Sequence, residues 1–235
     1  MNIDLSFVWQ AFLYGLAYLP NTLKLAFSAF LLSLVFGIVI AGIRFFKVPF
    51  LARFFALFVT FLKGVPMLLV MFVVFASASR VVNGLAALLH LPFSAKDVSL
   101  NAIGIVALTI FGTMIISETI RGALTSVDNG QFEAGFSIGL TRTGALVRIV
   151  APQAVIIAAP VLCNNIIGLI KASALCYMVM VEEVMSGTLK VASSNYKYFE
   201  AYLAAAAIYW ALCIVIEMIA KILRAKLGKY RTKLA

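Results

Sequence analysis

Residues 21–43 read NTLKLAFSAFLLSLVFGIVIAGI, a run that holds a single charge, Lys24, and is closed by Arg44 and Lys47. A helix needs about 20 mostly apolar residues to cross about 30 Å of hydrocarbon, and in hydrocarbon a helix can satisfy its own backbone polar groups where water cannot. This stretch therefore reads as a membrane span. Four others follow it: residues 54–79, interrupted by Lys63-Gly64-Val65-Pro66; residues 100–120, closing on Arg121; a run that starts near Gln153 and stays apolar to Val181, too long for one plain span; and residues 201–223, ahead of the basic tail Arg224, Lys226, Lys229, Arg231 and Lys233. The fold class expected is an all-α membrane protein of about five transmembrane helices in one domain, residues 1–235.

Composition agrees. The 235 residues are 64% hydrophobic and 12% charged, with a mean hydropathy of +1.08. Soluble domains are roughly 45–50% apolar and about 25% charged, so too few charges are present to cover a soluble surface. The net charge of +10 invites a nucleic-acid reading, but the bases punctuate apolar runs instead of sharing a polar face, which is the pattern of membrane topology. With the N-terminus outside, the inner segments hold Arg44, Lys47, Arg53, Arg121, Arg142, Arg148, Lys221 and the five tail residues, while the outer segments hold only Arg80, Lys96, Lys190 and Lys197. That asymmetry predicts N-outside, C-inside in a cell (inner or plasma) membrane. Residues 1–18 contain no Lys or Arg, so the basic start of a cleaved signal is missing and the first apolar segment is expected to remain. Cys163, Cys176 and Cys213 sit in apolar surroundings without C-x-x-C spacing, and His90 is the single histidine; no disulfide framework or metal site is indicated.

The longest inner segment, residues 121–152, is too patterned for a linker. It reads as a short helix beginning about Glu133, a turn at residues 141–144, and a second helix, with Pro152 suited to the first turn of the fourth span. Small residues at Ala134, Gly135 and Gly139 leave one helix side nearly bare, open to close approach by another protein, and Glu133 sits where the helix dipole favours a carboxylate. The residues Glu133, Ala134, Gly139, Ile149 and Pro152 resemble, with every spacing kept, the EAA motif of the permease subunits of ABC importers; Gly135 and Ala151 stand in place of Ala and Leu. Further segments resemble the polar amino-acid branch of that family: Pro20-Asn21-Thr22-Leu23, Phe61-Leu62-Lys63-Gly64-Val65-Pro66, Ser117-Glu118-Thr119-Ile120-Arg121-Gly122, Gly130-Gln131, and Lys171-Ala172-Ser173-Ala174-Leu175, the last without the family's Asp.

The resemblance implies a type I importer permease whose cytoplasmic loop, residues 129–151, seats a coupling helix in a groove of a separate ATPase through Gly130, Glu133, Ala134, Gly135, Gly139, Ile149 and Pro152. It implies as partners that ATPase, an extracytoplasmic amino-acid-binding protein, and a second permease subunit, identical or a sister chain. ATP and magnesium would bind on the ATPase. The residues agree that this chain is no ATPase: where a P-loop starting at Gly130 needs its lysine stands Phe136. A self-contained secondary transporter or channel is the alternative, but it would bring inverted repeats or a filter motif, and neither is found.

Charges inside spans cost about 2.5–3.5 kcal/mol on insertion scales and need a reason. Glu118 and Arg121, three apart, are expected to pair or to gate, and Glu217 and Lys221, four apart, to pair. Lys63, beside Gly64 and Pro66, is expected to bond carbonyls freed by a helix break. The fourth span carries Asn164, Asn165, Lys171 and Ser173, with Pro160 and Gly168 permitting a bend, and ends on Glu182 and Glu183. Interrupted helices with polar groups mark substrate pathways, so Asn164, Lys171, Ser173 and Glu183 are the candidate path residues, Lys171 and Glu183 complementing the two charges of a free amino acid.

Overall fold

The computed structural model describes residues 3–234, with side chains as far as 222 and that of Ala225; those of Arg224, Lys226, Lys229, Arg231 and Lys233 lie outside the described set. Ten α-helices follow in order: α1 Leu5–Ala17, α2 Leu19–Phe45, α3 Leu51–Gly64, α4 Met67–Leu88, α5 Leu100–Thr125, α6 Gly130–Ser137, α7 Arg142–Ala145, α8 Ala151–Ser173, α9 Val184–Ala192 and α10 Tyr198–Leu234. A π-helical turn, Leu146–Val150, joins α7 to α8, and a 3-10 turn, Ala174–Val179, follows α8. Among the described residues five helical stretches are long and apolar enough to cross a membrane: Leu19–Phe45, Met67–Leu88, Leu100–Thr125, Arg142–Val179 and Tyr198–Ile222. Large exposed side chains such as Leu31, Val35, Phe36, Val73 and Val155 clothe them, as lipid-facing surfaces require.

The centre of the bundle is α2 packed along α5, with α8 against both. Where hydrocarbon surrounds the helices, no hydrophobic gain drives them together, so small residues that let backbones approach become the contact. A Cβ on Gly37 would stand 2.8 Å from Ile116 Cγ2 and 3.2 Å from the Ser117 nitrogen. One turn away Gly112 closes on Ser33, whose hydroxyl donates to the Thr109 carbonyl at 3.0 Å. Leu25, Ala29, Met71, Leu108, Leu169 and Val181 fill the core beside these contacts.

Two of the expected spans are built differently. Residues 54–79 are not one helix but α3 and α4, parted at Val65, which is extended (φ −96°, ψ 125°) ahead of Pro66. Proline crowds the preceding residue out of the helical region and brings no N–H of its own. The fourth span begins at Arg142, not near Gln153, since the helix runs through the π turn into α8. Pro152 keeps its expected place in the first turn of α8, but the helix reaches that turn unbroken from the π turn before it. Its missing N–H would have bonded the Arg148 carbonyl, and the wider π turn falls on that carbonyl. A further helix, α1, was not expected. The Asp4 carboxylate caps it, accepting from the Ser6 and Phe7 nitrogens at 3.1 Å each, and also pairs with Lys197 at 2.5 Å. That partner holds the Asp4 carboxyl well below the usual range. Phe7 and Ala11 then pack on Leu189, Ala192, Ala201 and Ala204 of α9 and α10.

Candidate functional site

The hairpin forms, one turn earlier than expected. The Asp128 carboxylate accepts from the Gly130 nitrogen at 2.6 Å and opens α6, and Glu133 occupies its first turn. The helix is stopped at Gly139, whose φ is +82°. There the Leu140 N–H donates to the Gly135 carbonyl at 3.0 Å and the Gly139 N–H to the Phe136 carbonyl at 2.9 Å, the paired bonds of a Schellman ending with glycine at the left-handed position. Thr141 then caps α7, its hydroxyl accepting from the Gly144 nitrogen at 3.1 Å. The turn is therefore at residues 138–141, because a left-handed glycine ends a helix more firmly than the Thr-Arg-Thr-Gly run that follows it.

The small residues divide in role. Gly135 does not face outward: a Cβ there would stand 2.9 Å from Ala145 Cβ and 3.2 Å from Ile149 Cδ1, so Gly135 and Ile149 meet inside the hairpin and fold it on itself. Gly139 closes α6. Glu133 and Ala134, with Phe136, Ser137 and Ile138, are exposed. Phe136 and Ile138 are the surface residues that sequence reasoning missed; apolar side chains at exposed positions of a hairpin between spans were the available signal. On the inner side Phe132 packs with Ala123, Val127, Val150 and Ala154, and the Gln153 amide donates to the Gln131 side-chain oxygen at 3.1 Å.

Glu118 has more partners than its own helix offers. Arg44 of α2 and Arg121 of α5 both reach it, Arg121 at 3.2 Å, and Lys63 of α3 stands 3.3 Å from Oε2. Lys63 thus finds a carboxylate 55 positions along the chain rather than the carbonyls of the helix break. The expected pair at the inner end of α10 is not formed: Glu217 and Lys221 are both exposed, and no ion pair joins them among the described residues.

The candidate path residues separate into open and sealed ones. Lys171 is exposed and lines a cleft of about 370 Å³ with Ala206, Tyr209, Trp210 and Cys213. Asn164 is exposed as well, while Asn165 donates to the Thr119 hydroxyl at 2.9 Å. Ser173 is buried, its hydroxyl given to the Ile170 carbonyl at 2.7 Å. The interruption in this span falls after Ser173, in the 3-10 turn and at left-handed Met180 (φ 63°), not at Pro160 or Gly168, which stay within α8.

Glu183 is fully buried. It caps α9, accepting from the Ser186 nitrogen at 2.9 Å, and Tyr209 donates to its other oxygen. Burial pushes its carboxyl up to about 7. Its neighbour Glu182 is exposed and paired with Lys190. The two glutamates precede α9 and are not adjacent residues of one helix, Glu183 being extended at φ −151°. The turn that holds them is pinned by the start of α2: Asn21 donates to the Glu182 carbonyl and the Thr22 hydroxyl accepts from the Val184 nitrogen at 3.0 Å. Tyr209 therefore stands between Lys171, across the open cleft, and Glu183 behind it.

A search against family models matches residues 18–229 to the binding-protein-dependent transport system inner membrane component family. The chain belongs to that family. The permease is 36% identical to a probable amino-acid permease protein YxeN of Bacillus subtilis, over 98% of this chain and 99% of that one. It is 31% identical to a probable amino-acid ABC transporter permease protein, PatM, of Vibrio harveyi, over 97% and 98% of the two chains. Among solved structures it resembles a chain of an amino acid ABC transporter crystallised with histidines, at a TM-score of 0.80 and 24% identity over 96% of this permease and all of that chain. A chain of the MetNI methionine ABC transporter gives 0.75 at 16% identity. The fold is that of a type I importer permease, and the permease is a multi-pass transport component of the inner membrane, with ATP hydrolysis on a separate chain of such systems. Membership sets aside the self-contained transporter or channel.

Proposed function

We propose that this permease forms part of the transmembrane path of an ATP-driven importer for a polar amino acid and seats a separate ATPase on its hairpin. The hairpin carries the docking half of that reading. It is an ordered unit, folded tightly at Gly135, stopped by Gly139 and exposing Glu133, Ala134, Phe136 and Ile138, and a rigid element of this kind can pass on displacement where a slack loop would absorb it. The matching motif, Gly130, Glu133, Ala134, Gly135, Gly139, Ile149 and Pro152, is divided between exposed contact and internal closure. ATP and its magnesium ion bind on the ATPase, an extracytoplasmic binding protein delivers the cargo, and a second permease subunit completes the path.

The cargo class is supported by the amino-acid permeases that this chain resembles and by the cleft at Lys171. An ammonium there complements a substrate carboxylate, and the faces of Tyr209 and Trp210 suit a substrate ammonium. Asn164 lies on the same helix, and Ser173 and Glu183 back the cleft. The N-terminus lies outside and the C-terminus inside, on the bias of basic residues.

The test is reconstitution in liposomes with the ATPase and binding protein. ATP-dependent uptake of a polar amino acid is expected, with no ATP turnover by the purified permease alone. Turnover by the lone chain, contaminants excluded, or uptake that ignores ATP, would overturn the reading.

A further inference from the structure

Three consecutive residues at the end of α2 touch three different parts of the molecule. Arg44 bonds Glu118 of α5. The Phe45 ring stacks on Phe132 of α6, centroids 6.2 Å apart and planes 27° off parallel. Phe46, set edge-on to Phe45 at 5.7 Å, lies under the Arg142 guanidinium of α7, 5.6 Å from the ring centroid. The two aromatics hold both helices of the hairpin, and the arginine holds the ion cluster. From that cluster Lys63 extends the chain of contacts at 3.3 Å to the residue beside the Val65–Pro66 break.

We propose that Arg44, Phe45 and Phe46 are the strut that transmits the position of the hairpin to the spans, with Glu118 as the joint and the α3–α4 break as the part it moves. The residues act through others and touch no substrate, so they are positioning residues. The covalent links from hairpin to bundle run only through α5 and α8; α2 and α3 are reached across side chains. A displacement of the hairpin by the ATPase shifts Phe132 and Arg142, and the stacked rings carry that shift into α2. The strut rests on the reading that the hairpin docks the ATPase.

The readout is ATP hydrolysed per substrate taken up by the reconstituted complex of permease, ATPase and binding protein. Phe45→Ala is expected to raise that ratio at least threefold while the subunits still co-purify in wild-type proportion. Phe45→Tyr, which keeps the ring, is expected to preserve the ratio. Uptake and hydrolysis falling together in Phe45→Ala, at an unchanged ratio, would make Phe45 a packing residue and overturn the strut. Should Phe45→Ala not assemble, Phe45→Cys with Phe132→Cys decides, in a background where Cys163, Cys176 and Cys213 are alanine. Bridging the new pair with a short thiol crosslinker lowers the ratio toward wild type if the strut exists, and an equal ratio before and after bridging refutes it. Glu133→Arg tests the underlying reading separately. Coupled uptake surviving that change removes hairpin docking and the strut with it, whereas a silent Phe45→Ala removes the strut alone.

Discussion

Glu118→Gln takes one negative charge from among three positive ones. Removing one member of a buried ion pair costs about 3–5 kcal/mol, and an exposed pair is worth about 0–1 kcal/mol, so exposure sets where each contact falls. The Arg44 side chain is 14% exposed and that of Glu118 22%, against 36% for Arg121 and 51% for Lys63. The Arg44 contact lies near the buried limit and the Lys63 contact near the surface limit, which places the whole change at about 2–3 kcal/mol. For a chain of this size each kcal/mol moves the midpoint by about 2–4 °C, and a fall of about 5–10 °C is expected. Tryptophan fluorescence of the detergent-purified permease at fixed scan rate measures it, Trp9 and Trp210 being the reporters. The single variants are expected to rank Arg44→Met, then Arg121→Met, then Lys63→Met, with Lys63→Met alone losing its effect in high salt. A Glu118→Gln midpoint within 2 °C of wild type, or Lys63→Met costing more than Arg44→Met, would refute this account of the cluster.

Glu183 gives a pH dependence. Its carboxyl is raised from 4.5 to about 7, so its contribution to stability is complete below pH 4.5 and is lost as pH rises to about 7, a change of about 3 kcal/mol for such a shift; Glu183→Gln is expected to flatten the midpoint over that window. Tyr209→Phe removes a hydrogen bond that favours the carboxylate, and the infrared carbonyl band of the protonated acid should then persist to higher pH; persistence to a lower pH would contradict the donor assignment. Gly139→Ala puts a side chain at φ +82° at about 1–2 kcal/mol, so amide exchange at Leu140 should rise about tenfold and the global midpoint should fall by about 2–8 °C. With native cysteines removed, a cysteine at Ser6 should react with an impermeant thiol reagent in intact cells and one at Thr232 should not; the reverse pattern would invert the topology.

Much of this was legible because hydrophobic length is a one-dimensional signal. The apolar runs placed four spans to within a few residues at most ends, and Lys63-Gly64-Val65-Pro66 marked its break because proline acts on its immediate neighbour. Contacts across the chain left no such mark. Lys63 and Glu118 meet at 3.3 Å, yet Glu118 has Arg121 three residues away, and local spacing points there first. Gly135 looked like an outward face since smallness alone does not say which side of a helix is covered; Ala145 and Ile149 decide that. The 13-residue α1 is too short for a span and was passed over. Glu183 was singled out as a charge on the path, but its burial depends on Tyr209, Ser186 and the α2 start closing around it at once.

The π turn at Leu146–Val150 sets the angular phase between the hairpin and the span. Each residue of an α-helix advances the chain by about 100° and 1.5 Å, and a π turn accommodates one residue more than the regular winding. Deleting one residue there would let the winding become regular with the hairpin still facing Phe45 and Phe46, whereas regular winding at the present length would swing it through about a quarter turn away from them. A change from π to regular winding at this point would thus redirect the hairpin while leaving the composition of every span and of the exposed hairpin face untouched. Within this fold the winding of residues 146–150 is a dial for the direction in which the hairpin points.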